Sequence, residues 1–187
     1  MKTLILIFHP DFSQSRANRA LADAAKQQPG TDIFDVQAAY PDGKIDIGAE
    51  VERLLAADRI IYQFPIQWYA APPILQAWQN AVLTRMYYVN YEKEGRLLEG
   101  TPLGIATTAG NTPAAYTPQG INLMPVSALL NPLRSMANRC GLPLSEPFVV
   151  YETMKADDDT LRRAGAAYVS WLSGMPISHP KNVAAYA

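Results

Sequence analysis

Residues 64–78 read FPIQWYAAPPILQAW, so Gln67, Trp68 and Tyr69 fall between an apolar run and a proline-led helix, where a plain Gly or Asn turn would serve. Two aromatic rings and a carboxamide in a turn have two uses. They can pack as core or interface aromatics, since such rings bury large areas wherever they sit. They can also line a flat ligand that has a polar edge. A second segment, HPDFSQSRAN at 9–18, gathers Ser13, Ser15, Arg16 and Asn18 around a helix start, with Arg19 next. Free backbone N–H groups and the helix dipole favour an anion there, and a phosphate fits. The same residues also suit an N-cap serine beside a solvated arginine face. His9 reads by default as a polar residue satisfied at a strand end. The third segment, TTAGNTPAAY at 107–116, adds small and hydroxylated residues and one more aromatic, Tyr116.

Other chemistries find little support. The histidines at 9 and 179 and the single cysteine at 140 have no metal-ligand spacing, and no nucleophilic triad is credible. Cys140 falls on the apolar side of a helical pattern and reads as an inert core thiol. A formal charge of −1 gives no global attraction to nucleic acid or to an anionic membrane. The opening MKTLILIFHPD breaks its apolar run too early for a secretory signal, and no apolar stretch reaches the ~20 residues that cross a bilayer. A cytoplasmic protein with no membrane span is expected.

These segments need elements to hold them. Thr3–Phe8 is a continuous apolar run, the habit of a strand buried on both faces of a parallel sheet. Ala17, Ala20, Leu21, Ala24 and Ala25 recur at helical spacing until Pro29-Gly30. Thr31–Val36 alternates and reads as an edge strand; an irregular connection follows, then a short helix on Ile47, Val51, Leu54 and Leu55. Arg59–Phe64 is a third strand, and Pro72-Pro73 opens a helix with Ile74, Leu75, Trp78 and Val82 inward. Residues 86–100 show no period and read as a structured loop or lid. Leu103–Thr107 is the fourth strand, Val126 to Cys140 one strongly periodic helix, Pro147–Tyr151 the fifth strand, and Asp157–Ser173 the last helix, with Gly174 past its end.

Five strands alternating with five helices predict an α/β fold: a doubly wound, five-stranded parallel sheet in the flavodoxin-like order 2-1-3-4-5, with helices on both faces. One domain over 1–174 and a tail over 175–187 are expected. Ligands of such sheets bind outside the carboxyl ends of the strands, near the switch point between the first and third. The three segments above are the loops at that end.

Together they resemble the flavodoxin-like NAD(P)H:quinone oxidoreductase family, nearest its branch of ancillary oxidoreductases of bacterial glutathione-regulated potassium-efflux systems. The family motif FPxQWYxxPxxLxxW is matched by Phe64, Pro65, Gln67, Trp68, Tyr69, Pro72 or Pro73, Leu75 and Trp78, and the branch's YPD…IDI segment by Tyr40-Pro41-Asp42 and Ile45-Asp46-Ile47. The resemblance runs from Thr3 to the final helix. It implies that Ile66, Gln67, Trp68 and Tyr69 line the isoalloxazine of FMN or FAD. It assigns His9, Ser15, Arg16, Ala17 and Asn18 to the flavin's phosphate and ribityl chain, and Thr107, Thr108, Ala109 and Gly110 to a third flavin loop. Tyr116 matches the aromatic after that loop, where its hydroxyl could serve the reacting oxygen or its ring could merely pack.

The implied activity is hydride transfer from NAD(P)H to flavin and two electrons onward to a quinone, in ping-pong order at one shared face. A homodimer using Tyr87, Tyr88 and Tyr91 at its interface is implied too. The alternative is a regulatory subunit of a potassium-efflux transporter. A one-electron flavodoxin carrier fits less well, because the first loop lacks a T-x-T-G-x-T motif and the composition is not strongly acidic. The chain departs from the family at three places. Ala109 replaces a glycine, at a steric cost if that position needs positive φ. Asn80 stands where many members have Asp, and the tyrosine-rich 87–91 segment replaces a Gly-rich one.

Overall fold

The computed structural model describes residues 1–177. Its five strands are β1 (Thr3–Ile7), β2 (Thr31–Asp35), β3 (Arg59–Pro65), β4 (Leu103–Thr108) and β5 (Phe148–Val150). They form one all-parallel sheet in the order β2-β1-β3-β4-β5, as the alternation predicts. β1 is buried along its whole length, whereas every residue of the edge strand β2 is half-buried.

Because side chains alternate across a strand, each central strand feeds two cores. Leu4, Leu6, Tyr62, Phe64 and Ile105 face α3 (Ile47–Leu55), α4 (Pro73–Thr84) and α7 (Asn131–Arg139). Ile5, Ile7, Ile61 and Ala106 face α1 (Arg16–Lys26) and α8 (Asp158–Gly174). Trp78 is fully buried at the centre of the first core, edge-on to Phe8 and Tyr62 with ring centroids 5.6 and 5.8 Å away. Glu50 of α3, also fully buried, accepts from Trp78 Nε1 at 2.8 Å and from the Tyr40 hydroxyl at 2.9 Å. On the other side α1 and α8 approach closely at Gly165, where a Cβ would lie 3.0 Å from Ala24 Cβ.

Several elements differ from the sequence reading. The stretch 126–140 is two helices, α6 (Val126–Leu129) and α7, because Pro132 opens the second and cannot bond back into the first. Residues 85–98 are not a loop but two wide π-type turns, Arg85–Val89 and Tyr91–Gly95, followed by α5 (Arg96–Leu98). An Arg85–Glu94 ion pair at 2.6 Å bridges the turns. A Cβ at Gly95 would meet Met86 O at 2.5 Å, so only glycine admits that crossing. The connection after β2 contains a short helix, α2 (Val36–Ala39), capped by Asp35. Gly174 closes α8 rather than following it. Of the expected tail over 175–187, Met175 is buried in the second core, Pro176 and Ile177 are exposed, and 178–187 lie outside the described residues.

Candidate active site

At the carboxyl end of β1, Ser15 caps α1: its Oγ accepts from Asn18 N at 3.2 Å. The N–H groups of Arg16 and Ala17 have no acceptor among the described residues, which leaves two donors at the positive end of an 11-residue helix. The arginines are engaged elsewhere. Arg16 reaches Ala156 O at 3.0 Å and Asp158 Oδ1 at 2.6 Å, and Arg19 reaches Ser13 O at 3.1 Å. His9 accepts from Asp11 N through Nδ1 at 3.0 Å. Burial lowers its pKa against the pull of Asp11 and Asp35. The ring is therefore neutral near pH 7 and carries its proton on Nε2, which has no acceptor among the described residues.

The turn after β3 is tighter than its sequence suggests. Gln67 N donates to Ala70 O at 2.9 Å and Ala70 N to Gln67 O at 3.1 Å. Between them Trp68 and Tyr69 both take positive φ, 47° and 64°. This is a two-residue hairpin turn of the mirror-image type I geometry, which ordinarily selects Asn-Gly. Two aromatic residues in that conformation are strained. Burial does not compensate at Trp68, which is 94% exposed. The N–H groups of Trp68 and Tyr69 have no acceptor among the described residues.

The loop after β4 supplies the floor. Thr107 Oγ1 donates to Phe64 O at 2.8 Å, and Ile66 N donates to Thr108 O at 2.8 Å. Ala109 is buried, with its N–H donating to Val150 O at 2.8 Å, and its φ is not positive. Alanine therefore carries no backbone strain where the family has glycine.

These loops enclose two adjoining clefts. The first, of about 590 Å³, brings together His9, Ser15, Arg16, Ala17, Asn18, Ile66, Gln67, Thr108 and Gly110. The second, of about 310 Å³, shares Ile66 and Gly110 with it and adds Trp68, Tyr69 and Tyr116. Thr107 and Ala109 line neither and act from beneath. Tyr116 is buried, its ring 5.8 Å from that of Tyr151, and burial raises its pKa, as do Tyr69 and Tyr151. Other lining residues were not assigned from the sequence, among them Pro10, Asp11, Gln14 and Pro65 of the quoted loops. Thr153 and Met154 wall the first cleft, and Asn111 and Asn122 the second. The loop after β5 sits at the same end of the sheet, so strand order alone could have pointed to Thr153 and Met154. No local pattern marks Asn122.

Cys140 is buried and its thiol is pushed up to about 11 by burial, which fits an inert thiol. Tyr87 is buried too, its hydroxyl donating to Cys140 O at 2.7 Å, so it is not free to form an interface. Tyr88 is 71% exposed, with the guanidinium carbon of Arg139 5.2 Å from its ring centroid. It edges a third, apolar groove of about 540 Å³ between α4 and α7, with Leu83, Leu133 and Met136.

A family model described as "Flavodoxin-like fold" matches residues 1–172. The chain is 30% identical over 178 residues to the uncharacterized NAD(P)H oxidoreductase YdeQ of Bacillus subtilis, covering 95% of this chain and 89% of that one. It is 32% identical to an ancillary protein of the glutathione-regulated potassium-efflux system of Erwinia tasmaniensis, over 95% of both chains. Among solved structures, general stress protein 14 of Treponema denticola in complex with FMN is 33% identical, with a TM-score of 0.84 over 92% of this chain and 98% of that one.

Proposed function

The chain belongs to this flavodoxin-like fold family, and on that premise we propose that it is an NAD(P)H:quinone oxidoreductase that works through bound FMN or FAD. The observation that carries the reading is two sets of donors, without acceptors among the described residues, on two adjoining clefts that share Ile66 and Gly110: Arg16 N and Ala17 N at the start of α1 beside the first, and Trp68 N and Tyr69 N in the strained turn beside the second. The residues present fit a flavin. The α1 donors and the Ser15 hydroxyl suit its phosphate, His9 Nε2–H and Asn18 would hold the sugar-alcohol chain, and Ile66 offers an apolar wall. Gln67 and the two turn N–H groups suit the polar edge of the ring.

A bound flavin would accept a hydride from NAD(P)H and deliver two electrons to a quinone. The chain's own part is placement. Trp68 and Tyr69 are held where their rings bound the second cleft, and the strain of that turn is the kind that clusters at ligand clamps. Thr107, Thr108, Ala109 and Gly110 would support the flavin from the end of β4, and a face shared by both substrates would make the kinetics ping-pong. Tyr116 keeps its phenolic proton and can donate it, or a hydrogen bond, to an oxygen of the acceptor.

Titration of apo protein with FMN and with FAD tests this directly. Quenching of flavin fluorescence at micromolar protein is the expected result; no binding of either flavin would remove the enzyme reading. A regulatory role beside a potassium-efflux transporter is the second reading, favoured by 32% identity to such an ancillary protein over nearly the whole chain. The groove at Tyr88 suits a second copy of this chain, and a homodimer is part of the proposal. Sedimentation of Tyr88→Glu should then show monomer where the parent protein shows dimer.

A further inference from the structure

Asn122 is held twice at the second cleft. Its backbone N–H donates to Ala115 O at 3.0 Å, and its side-chain Oδ1 accepts from the Tyr69 hydroxyl at 3.3 Å. The loop that presents it is itself constrained. The next residue, Leu123, takes a positive φ of 59° with its side chain exposed, so no packing offsets the strain. Gly120 lies so close to the 114–115 backbone that a Cβ would sit 2.4 Å from two carbonyl oxygens. Two strained segments, the 68–69 turn and the 120–123 loop, are thus joined by one side-chain hydrogen bond across 53 residues. Strain of this kind persists where the surroundings over-determine it, and it points to a site.

The orientation has a chemical consequence. A carboxamide offers an acceptor oxygen and two N–H donors. With Oδ1 engaged by Tyr69, the Nδ2 donors of Asn122 have no partner among the described residues. None of the residues lining this cleft carries a charge, Trp68 among them is exposed, and the chain neighbours of Asn122, namely Ile121, Leu123 and Met124, are exposed and apolar.

We propose that Asn122 orients the electron acceptor: its carboxamide N–H donates to a carbonyl oxygen of a neutral, planar acceptor, with Tyr69 as the positioning residue that aims the amide. The inference deepens the oxidoreductase reading and rests on it. Reduction of a quinone to the hydroquinone takes two electrons and two protons. The hydride that originates on NAD(P)H supplies both electrons and one proton equivalent, and solvent supplies the other proton through Tyr116. The amide gives up no proton and does not titrate, so it polarises the carbonyl equally from pH 5 to 9. An uncharged donor in an uncharged cleft also selects a neutral acceptor over an anionic one, since no cation is present to offset the desolvation of a charge.

The test uses flavin-loaded protein with two acceptors: menadione, which has carbonyl oxygens, and ferricyanide, which has none. Asn122→Ala should lower the menadione-to-ferricyanide ratio of kcat/KM by about tenfold, the effect of one lost hydrogen bond. Asn122→Asp, which keeps the acceptor for Tyr69 but loses the donors, should lower kcat/KM for menadione at least as far, and Tyr69→Phe should lower the ratio less. A second readout needs no turnover. With carbonyl-labelled menadione bound to the oxidised protein, the carbonyl stretch should lie at lower frequency in the parent than in Asn122→Ala. An unchanged ratio, or the same frequency in both proteins, overturns the proposal. Failure of the parent to bind flavin or oxidise NAD(P)H with either acceptor would instead sink the oxidoreductase reading, and this inference with it.

Discussion

Asn18 Nδ2 donates to Thr108 Oγ1 at 3.1 Å, joining the first turn of α1 to the end of β4, 90 residues away. Gln63 of β3 adds a third member, its Nε2 donating to Asn18 O at 2.8 Å. All three side chains are buried. α1, β3 and β4 therefore share one polar knot at the floor of the first cleft, and Asn18 is its centre.

Asn18→Ala should cost about 1–3 kcal/mol of stability, the range for leaving buried polar partners unmatched. It should also weaken flavin binding at least tenfold, because the donors at the start of α1 lose their anchor to the sheet. Urea unfolding and flavin fluorescence measure the two effects separately. A loss of stability with unaltered flavin affinity would show the knot to be structural only.

The sheet was legible because its signals are local. The all-buried run at 3–7 marked a central parallel strand, and the alternation at 31–35 marked an edge. Pro132 was visible in the sequence, yet the strong apolar period across 126–140 outweighed a break that the proline enforces. The site was legible in part, through loops whose residue types fit a ligand. What stayed hidden depends on backbone geometry or on distant contacts. Nothing in Gln-Trp-Tyr-Ala announces positive φ at two aromatic residues. The burial of Tyr87 against Cys140, unlike its neighbour Tyr88, follows from a π-type turn that has no periodic signature.

The strained turn yields a trade between stability and binding. Replacing Trp68-Tyr69 by Asn-Gly supplies the residues that this turn geometry favours. Trp68 buries little, so little packing is lost there. Apo protein should gain about 1 kcal/mol, while flavin affinity falls as the aromatic wall disappears. Equal or lower apo stability by thermal unfolding would mean that the aromatic pair is not strained as the φ values imply.

Glu50 is fully buried and accepts from Tyr40, Trp78 and Arg53. Glu50→Ala strands two buried donors and an arginine at once, so it should destabilise by about 3 kcal/mol or more. Glu50→Gln, which keeps the shape and one acceptor oxygen, should cost less. Chemical denaturation of the two variants checks the order, and an inert Glu50→Ala would contradict the buried network.

Alkaline pH should unfold the protein through its buried tyrosines. Burial raises Tyr62 and Tyr168 far above the ordinary phenol value, and Tyr40 is pushed up to about 12 by burial and its bond to Glu50. Above pH ~10 the unfolded chain releases these protons while the folded chain holds them. The unfolded state then binds fewer protons, so stability falls as pH rises, by up to about 1.4 kcal/mol per pH unit for each such tyrosine. Between pH 7 and 9 these groups should leave stability flat. Urea midpoints from pH 8 to 11 would reveal the downturn, and Tyr62→Phe should make it shallower.

Tyr116 separates proton donation from packing. Its ring meets Tyr151 at 5.8 Å, and the residue lines the second cleft with Tyr69 and Asn122. Burial and the neighbouring phenols raise its pKa, so it stays protonated across the neutral range and should add no alkaline limb to the rate below pH ~10. Tyr116→Phe removes the hydroxyl and keeps the ring against Tyr151. If the phenol gives its proton to the acceptor, turnover with menadione should drop roughly ten- to a hundredfold, the usual scale of a general acid. Reduction of the protein by NAD(P)H, which needs no proton from this group, should keep its rate in stopped-flow measurement. A solvent deuterium effect on the acceptor step should also shrink in the variant. Unaltered menadione turnover would leave Tyr116 as a wall of the cleft, with the second proton arriving from water alone.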